Sequence, residues 1–459
     1  MTLNAPLVSD APAAARTRTP QKLRNLELFM LLAACFINAA AVLLVQLGAL
    51  GEIDTTLVFL GLALSALVIA LHVVLRFAAR EADPFILPIA TLLNGLGIAM
   101  IYRIDIANQE SGWASAAVRQ TAWSGLAIAC AITVLLVIRN HRVLFRYTYI
   151  AGFVGVFLLL LPLVPGLGRE ISGARVWISV GSFATFQPGE IAKIALAIFF
   201  AGYLVRNRDS LAMVGKRFLG MRFPRLRDLG PILVVWALSM SVIIFQRDLG
   251  TALLYFGLFL VMLYLATARV SWVIMGVGLF LGGAVLASQT LAYVNGRFTN
   301  WLDALNPAVY EAPGGSFQLV QGLFGLAKGG LLGTGLGQGR PEITPVPQSD
   351  YIIASLGEEL GLAGVFAILA LYLLLVARGF RIGFAGQDDF GKLLAVGLSF
   401  VIALQCFIVI GGVTRVIPLT GLTTPFLAAG GSSLVANWII VALLLRLSDT
   451  VRNQPRLVV

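Results

Sequence analysis

The 459 residues are 59% hydrophobic and only 12% charged, with a mean hydropathy of +0.91. Apolar runs of about 20 residues, each able to cross a roughly 30 Å hydrocarbon layer, recur from end to end. This excludes a soluble globular enzyme and makes the chain an all-α polytopic membrane protein. The net charge of +11 then reads as a surface facing anionic lipid; no basic run is interleaved with exposed aromatics, so no nucleic-acid partner is expected.

In chain order, residues 1–25 are rich in Ala, Pro, Thr and Arg, the composition of a disordered cytoplasmic tail. The first apolar run is of full length and merges into a bundle, so it is expected as a retained span and not a cleaved signal. Twelve spans are predicted, at 27–49, 55–75, 84–102, 120–138, 148–165, 188–205, 230–246, 249–267, 271–293, 355–377, 391–411 and 427–446. The turn at Gln246, Arg247 and Asp248 is either a boundary between two spans or a break inside one re-entrant pair.

Most of the 33 Lys and Arg residues fall on one side of that pattern, at Arg16 to Arg24, Arg76 and Arg80, Arg139 to Arg146, Arg206 to Arg227, Arg269, Arg378 to Lys392 and Arg446 to Arg456. Cytoplasmic loops retain positive charge, which places both termini in the cytoplasm and the large loop 294–354 outside. Cys35, Cys130 and Cys406 all lie inside predicted spans, as packing residues rather than a disulfide framework. The only histidines are His72 and His141, both on the cytoplasmic side. A histidine triad or a His-ligated metal is thereby excluded, and no Walker A sequence supplies ATP-driven work.

Chemistry is left to carboxylates, Arg and Lys beside the external spans. In 172–197, SGARVWISVGSFATFQPGEIAKIALA, Arg175 and Gln187 precede a helix opened by Pro188, with Glu190 and Lys193 on one face. The pair is either a structural ion pair near a helix N-terminus or the lining of a polar cavity. In IFQRDLGTALL, residues 244–254, Asp248 is expected to cap a helix, to hold Lys193 from the neighbouring span, or to do both. Arg297, Gln318, Gln321 and Lys328 follow, the last ahead of a glycine-rich run to Gly339 whose N–H groups are either turn geometry or a phosphate approach. In VPQSDYIIASLGEELG, residues 346–361, Asp350 stands before an apolar segment carrying Glu358 and Glu359. Few carboxylates stand near a membrane without a function. Arg415 and Ser432 flank the Pro/Gly-broken loop before the last span, equally a helix start and a polar wall.

The order GARVWI, QPGEIAK, QRDLGTA, FQLVQ, KGGLLGTGLGQG, SDYIIASLGEELG, PLTG and GGSS over residues 150–445 resembles the SEDS family of bacterial morphogenesis proteins. The RodA-like branch of actinobacteria is nearer than the FtsW-like one. The resemblance implies a ten-helix core, 81–448, with 26–80 as two added N-terminal helices and 449–459 as a cytoplasmic tail. It implies a peptidoglycan glycosyltransferase that polymerises lipid II for cell elongation beside a class B penicillin-binding protein. Asp350 falls on the family's catalytic acidic position, and Glu190, Lys193 and Asp248 on its buried polar cluster. Departures are Gln348-Ser349 before Asp350, Gly189 before Glu190, Arg247 before Asp248, and Phe426-Leu427-Ala428-Ala429 ahead of the late glycine pair. None removes an ionisable member.

In that chemistry a sugar hydroxyl attacks an anomeric carbon with inversion while undecaprenyl pyrophosphate departs. A carboxylate such as Asp350 takes the hydroxyl proton. Arg175, Arg297, Lys328 and Arg415 are candidates to stabilise the leaving charge, with Gln187, Gln318, Gln321, Glu358 and Ser432 as further substrate contacts. No cofactor is implied; a divalent cation, Mg or Mn, would share the task without a dedicated cage. A lipid II flippase and a non-catalytic scaffold of the wall synthesis machinery are the alternatives.

Overall fold

The computed structural model describes residues 20–171, 173–180, 184–212, 217–218, 221–222 and 230–453. Of the two expected tails, residues 1–19 and 454–459 lie outside the described residues. The helices are α1 (Pro20–Ala49), α2 (Thr55–Ala78), α3 (Ile86–Ala107), α4 (Ala116–Val137), α5 (Arg142–Arg146), α6 (Thr148–Leu160), α7 (Pro188–Ala212) and α8 (Gly230–Ser241). They continue with α9 (Leu249–Thr267), α10 (Val270–Thr290), α11 (Ala292–Leu302), α12 (Pro307–Tyr310), α13 (Phe317–Gly329), α14 (Ile352–Ala385), α15 (Asp389–Val413) and α16 (Gly431–Asn453). Helix α1 begins inside the stretch expected as a tail.

Among the described residues ten helices are long and apolar enough to cross a membrane, each on an expected span. The other two expected spans are shorter: α6 has 13 residues and ends in a 3-10 turn, and α8 has 12 and continues as a π-helical stretch, Val242–Gln246. The chain breaks at Arg247, whose φ is +57°, before α9 starts afresh. Gln246 to Asp248 therefore separates two helices.

The spanning helices are apolar over most of their surface, because their lipid and protein neighbours are mostly apolar. Burial separates core from periphery: 83%, 72% and 78% of the spanning windows of α3, α15 and α16 are buried, against 22% for each of α1 and α2. Small residues set the closest approaches. A Cβ at Gly152 or Gly155 of α6 would stand 2.6 Å from Phe199 or 2.9 Å from Leu196 of α7.

At the end of the bundle rich in Lys and Arg, Asp83 accepts from Arg378 Nε at 2.9 Å and from Arg452 Nη2 at 2.7 Å, tying α14 and α16 together. The opposite end carries an antiparallel sheet, β1 (Gly168–Ile171), β2 (Ala174–Val180) and β3 (Ala184–Phe186) in the order β1-β2-β3. It also carries α11 to α13 and the loops before α14 and α16.

Candidate active site

Asp350 lies in the turn that delivers the chain into α14. The Ser349 hydroxyl donates to its Oδ1 at 2.8 Å. The next residue, Tyr351, is fully buried and anchors the turn: a Cβ at Gly322 of α13 would stand 2.7 Å from its ring. On the other side the Ala429 N–H donates to the Gln348 carbonyl at 2.8 Å, joining this turn to the loop before α16. Asp350 is half-buried. Burial raises its carboxyl above the usual aspartate range, partly offset by the Ser349 hydroxyl, its own backbone N–H and the Arg297 charge.

Arg297, on α11, donates from Nη1 to the Leu419 carbonyl at 2.8 Å. Its charge acts on both Asp350 and Asp248, so it relates the two carboxylates. Asp248 caps α9, accepting from the Thr251 N–H at 2.9 Å and the Thr251 hydroxyl at 2.5 Å. The expected contact from Asp248 to Lys193 is therefore corrected. Lys193 Nζ donates to Glu190 at 2.5 Å, to Gln405 Oε1 at 3.0 Å and to Asn437 Oδ1 at 3.3 Å. The cause is the rotation of α7, which turns Lys193 toward α15 and α16. Asp248 stays near Glu190 through Tyr255, whose hydroxyl donates to the Gly189 carbonyl at 2.7 Å.

This polar cluster extends toward the site. Gln405 Nε2 donates to the Thr423 carbonyl at 2.8 Å, and the Thr423 hydroxyl and the Asn437 amide reach Ser433 Oγ at 3.1 and 3.3 Å. Gln405, Asn437 and Thr423 escaped sequence reasoning. The available signal was two isolated amide side chains in otherwise apolar spans.

The glycine N–H groups expected to meet a phosphate are instead engaged within the fold, Gly333, Gly335, Gly337 and Gly339 among them. Helix α14 opens at Gly361, where φ is +69°, and the run fills that opening. Leu362 and Ala363 donate to the Gly330 and Leu331 carbonyls at 2.9 and 3.1 Å, while Thr334 and Gly335 donate to those of Glu358 and Glu359, each at 3.0 Å. A Cβ at Gly333 would stand 2.2 Å from the Glu359 carbonyl oxygen, so glycine is required by the backbone approach. Glu359 then accepts from the Gly337 N–H at 2.9 Å and from Arg103 Nε at 3.0 Å, and Arg103 Nη2 donates to the Gly339 carbonyl at 2.7 Å.

Several substrate-contact candidates are occupied by the fold. Lys328 and Glu358 pair at 2.7 Å, and Glu358 also accepts from the Arg340 N–H at 2.9 Å. Arg415 donates to the Trp301 and Leu302 carbonyls at 2.7 and 2.6 Å, holding the end of α11. Gln318 donates to the Pro345 carbonyl at 2.7 Å and Gln321 to the Tyr310 hydroxyl at 2.8 Å. Ser432 is buried in the first turn of α16, and Gln187 is half-buried ahead of α7. Arg175 is exposed on β2, 3.2 Å from Glu170. Among the described residues no cluster of three or more His, Cys, Asp and Glu could hold a metal.

The sequence profile described as "Cell cycle protein" (FTSW_RODA_SPOVE) matches residues 84–453, leaving α1 and α2 outside it. The chain is 44% identical over 449 residues to the peptidoglycan glycosyltransferase RodA of Mycobacterium tuberculosis, covering 97% of this chain and 94% of that one. It is 34% identical over 373 residues to the stage V sporulation protein E of Bacillus subtilis, covering 80% and 96%. A chain from the structure of a peptidoglycan synthase complex that coordinates polymerisation and crosslinking superposes with a TM-score of 0.63 at 25% identity, over 81% of this chain and 99% of that one. RodA of Thermus thermophilus superposes at 0.57 and 24% identity, over 82% and 98%. This chain belongs to the FtsW, RodA and SpoVE family of cell cycle proteins, the family its motif order resembles, and stands on its actinobacterial RodA side.

Proposed function

We propose that this peptidoglycan glycosyltransferase joins lipid-linked disaccharides of lipid II, with Asp350 as general base, at the external face of the bacterial cell membrane. The hydroxyl of one sugar attacks the anomeric carbon of another and its proton passes to the Asp350 carboxylate. The new glycosidic C–O bond forms as the bond to the pyrophosphate oxygen breaks, with inversion, and undecaprenyl pyrophosphate leaves with the electron pair. The observation that carries this reading is the environment of Asp350: half-buried, raised by burial, oriented by Ser349 and facing the charge of Arg297. A carboxyl tuned upward is a better proton acceptor near neutral pH than an exposed one. Arg297 is the cation placed to meet the leaving charge.

Sidedness rests on the distribution of Lys and Arg, which gathers opposite Asp350. The ten segments α3, α4, α6 to α10 and α14 to α16 form the catalytic core, and α1 and α2 are an addition to it. A class B penicillin-binding protein is the partner this reading supplies, because glycan strands require crosslinking and the structural neighbour comes from a complex that does both. Transport is disfavoured: Glu190 and Lys193 are buried and paired with each other, and Lys193 is further engaged by Gln405 and Asn437.

The test is polymerisation of labelled lipid II by the purified full-length protein with its cognate penicillin-binding protein. Glycan strands from wild type and none from Asp350→Asn support the reading. Equal polymer from both removes Asp350 from the chemistry. No polymer from wild type, with lipid II crossing reconstituted vesicles, puts the flippase in its place.

A further inference from the structure

The family profile begins at residue 84, so α1 lies outside it, yet α1 is tied to the core along its length. Asn38 Nδ2 donates to the Thr91 carbonyl of α3 at 3.0 Å. One turn before the end of α1, the buried Gln46 donates to the Asp54 carbonyl at 3.1 Å and to the Tyr102 hydroxyl of α3 at 3.4 Å. Tyr102 precedes Arg103, which holds Glu359 of α14 and the Gly339 carbonyl. The end of α1 is thereby fixed beside the glycine-rich run.

It also touches the run directly. A Cβ at Gly48 would stand 2.5 Å from the Leu336 carbonyl oxygen and 3.2 Å from the Gly337 Cα. Seen from the run, a Cβ at Gly337 would stand 2.9 Å from the Val45 carbonyl oxygen and 3.0 Å from the Ala49 nitrogen. Two backbones meet here, and neither offers a flexible side-chain end that could give way. Gly337 has a φ of +84°, so both its conformation and its neighbours require glycine. Its N–H donates to Glu359 at 2.9 Å. One residue of the run therefore joins α1 to α14.

Close packing continues from the run to the turn that carries Asp350. The run leaves α13 at Gly329, and α13 lies along the first turns of α14. A Cβ at Gly329 would stand 2.0 Å from the Gly357 carbonyl oxygen, and one at Gly357 would stand 2.3 Å from the Leu326 side chain. One at Gly322 would stand 2.7 Å from the ring of Tyr351, the neighbour of Asp350. Interiors packed this closely have low compressibility and transmit strain.

We propose that Gly48 is a positioning residue for polymerisation: the end of α1 braces the glycine-rich run, which through α13 holds the turn that carries Asp350. This rests on the general-base reading of Asp350. The experiment uses the full-length protein with its cognate penicillin-binding protein and labelled lipid II, after gel filtration so that rates refer to folded molecules. Gly48→Val should lower kcat about tenfold and leave KM within about twofold of wild type, because a slightly misplaced reacting group loses rate without losing ground-state binding. It should also open residues 330–340 to limited proteolysis. Gly61→Leu on α2, where an added Cβ meets nothing within 4 Å, should match wild type in all three. Where Gly48→Val does not fold, Gly48→Ala brings the same contact with the least bulk and decides the matter. A rise in KM alone, faster proteolysis with unchanged kcat, or an equal loss in Gly61→Leu overturns the proposal. Wild-type kcat in a folded Gly48 variant beside an inactive Asp350→Asn overturns it alone, whereas full activity of Asp350→Asn removes the general base and this proposal with it.

Discussion

Replacing Lys193 by Met tests whether charge holds the buried cluster together. Lys193 is 1% exposed and Glu190 5%, with the ammonium 2.5 Å from the carboxylate. Met is similar in length and removes three donors without opening a large cavity. The dominant effect is a carboxylate left unpaired inside the bundle, and breaking one side of a buried pair costs about 3–5 kcal/mol. The Gln405 and Asn437 oxygens each lose a donor, at about 1–3 kcal/mol apiece where no water replaces it. Adding Glu190→Gln removes the uncompensated charge and leaves only those amide terms. Thermal unfolding of the full-length protein in one detergent should therefore rank wild type above the double variant and the double variant above Lys193→Met. Lipid II polymerisation should stay low in both, because Lys193 links α7 to Gln405 and thence to Thr423 in the loop beside the site. Wild-type melting of Lys193→Met would show a solvated lysine. A double variant no better than the single would put the loss in the amide bonds instead of the charge.

Asp350→Asn should lower polymerisation by about 10²-fold or more while leaving the melting temperature at neutral pH equal or higher. Burial raises this carboxyl in the folded state, so its contribution to stability is present at low pH and lost as pH rises through the raised value. By the same shift, the wild-type rate should fall on acidification above the ordinary aspartate value of about 3.9; an acid limb at or below that value would exclude Asp350 as the base. Glu359→Gln should weaken the hold on Gly337 and Arg103, slowing polymerisation and exposing 330–340 to limited proteolysis; unchanged rate and cleavage would detach the glycine run from the site. With Cys35, Cys130 and Cys406 replaced, Gln338→Cys should react with a membrane-impermeant thiol reagent in intact spheroplasts and Gln387→Cys should not, the reverse pattern inverting the topology.

The spans were legible because hydrophobic length is a local property, and all twelve predicted segments coincide with helices. Asp248 as a helix cap was legible for the same reason: an Asp three residues before Thr251 is a local signal. The Glu190 partner of Lys193 was legible from their spacing, but Gln405 and Asn437 were not, since those contacts depend on which faces α7, α15 and α16 turn to one another. The glycine run failed differently. Its composition announces a close backbone approach, and the missing fact was what approaches: its own α14, opened at Gly361.

The cationic rim read from sequence narrows once the packing is known. Lys328 neutralises Glu358, and Arg415 closes the end of α11 on two carbonyls. Arg175 sits exposed beside Glu170 on the sheet. Arg297 alone among those four acts on Asp350, and it also acts on Asp248. Asp248 starts α9, whose Tyr255 holds the first turn of α7 at Gly189. Asp350 and Asp248 thus share one guanidinium, and Asp248 is tied through α9 to the first turn of α7. Departures from the family pattern at Gln348 and Gly189 leave that route intact, because Gln348 engages Ala429 and Gly189 engages Tyr255 through backbone carbonyls, which no substitution removes.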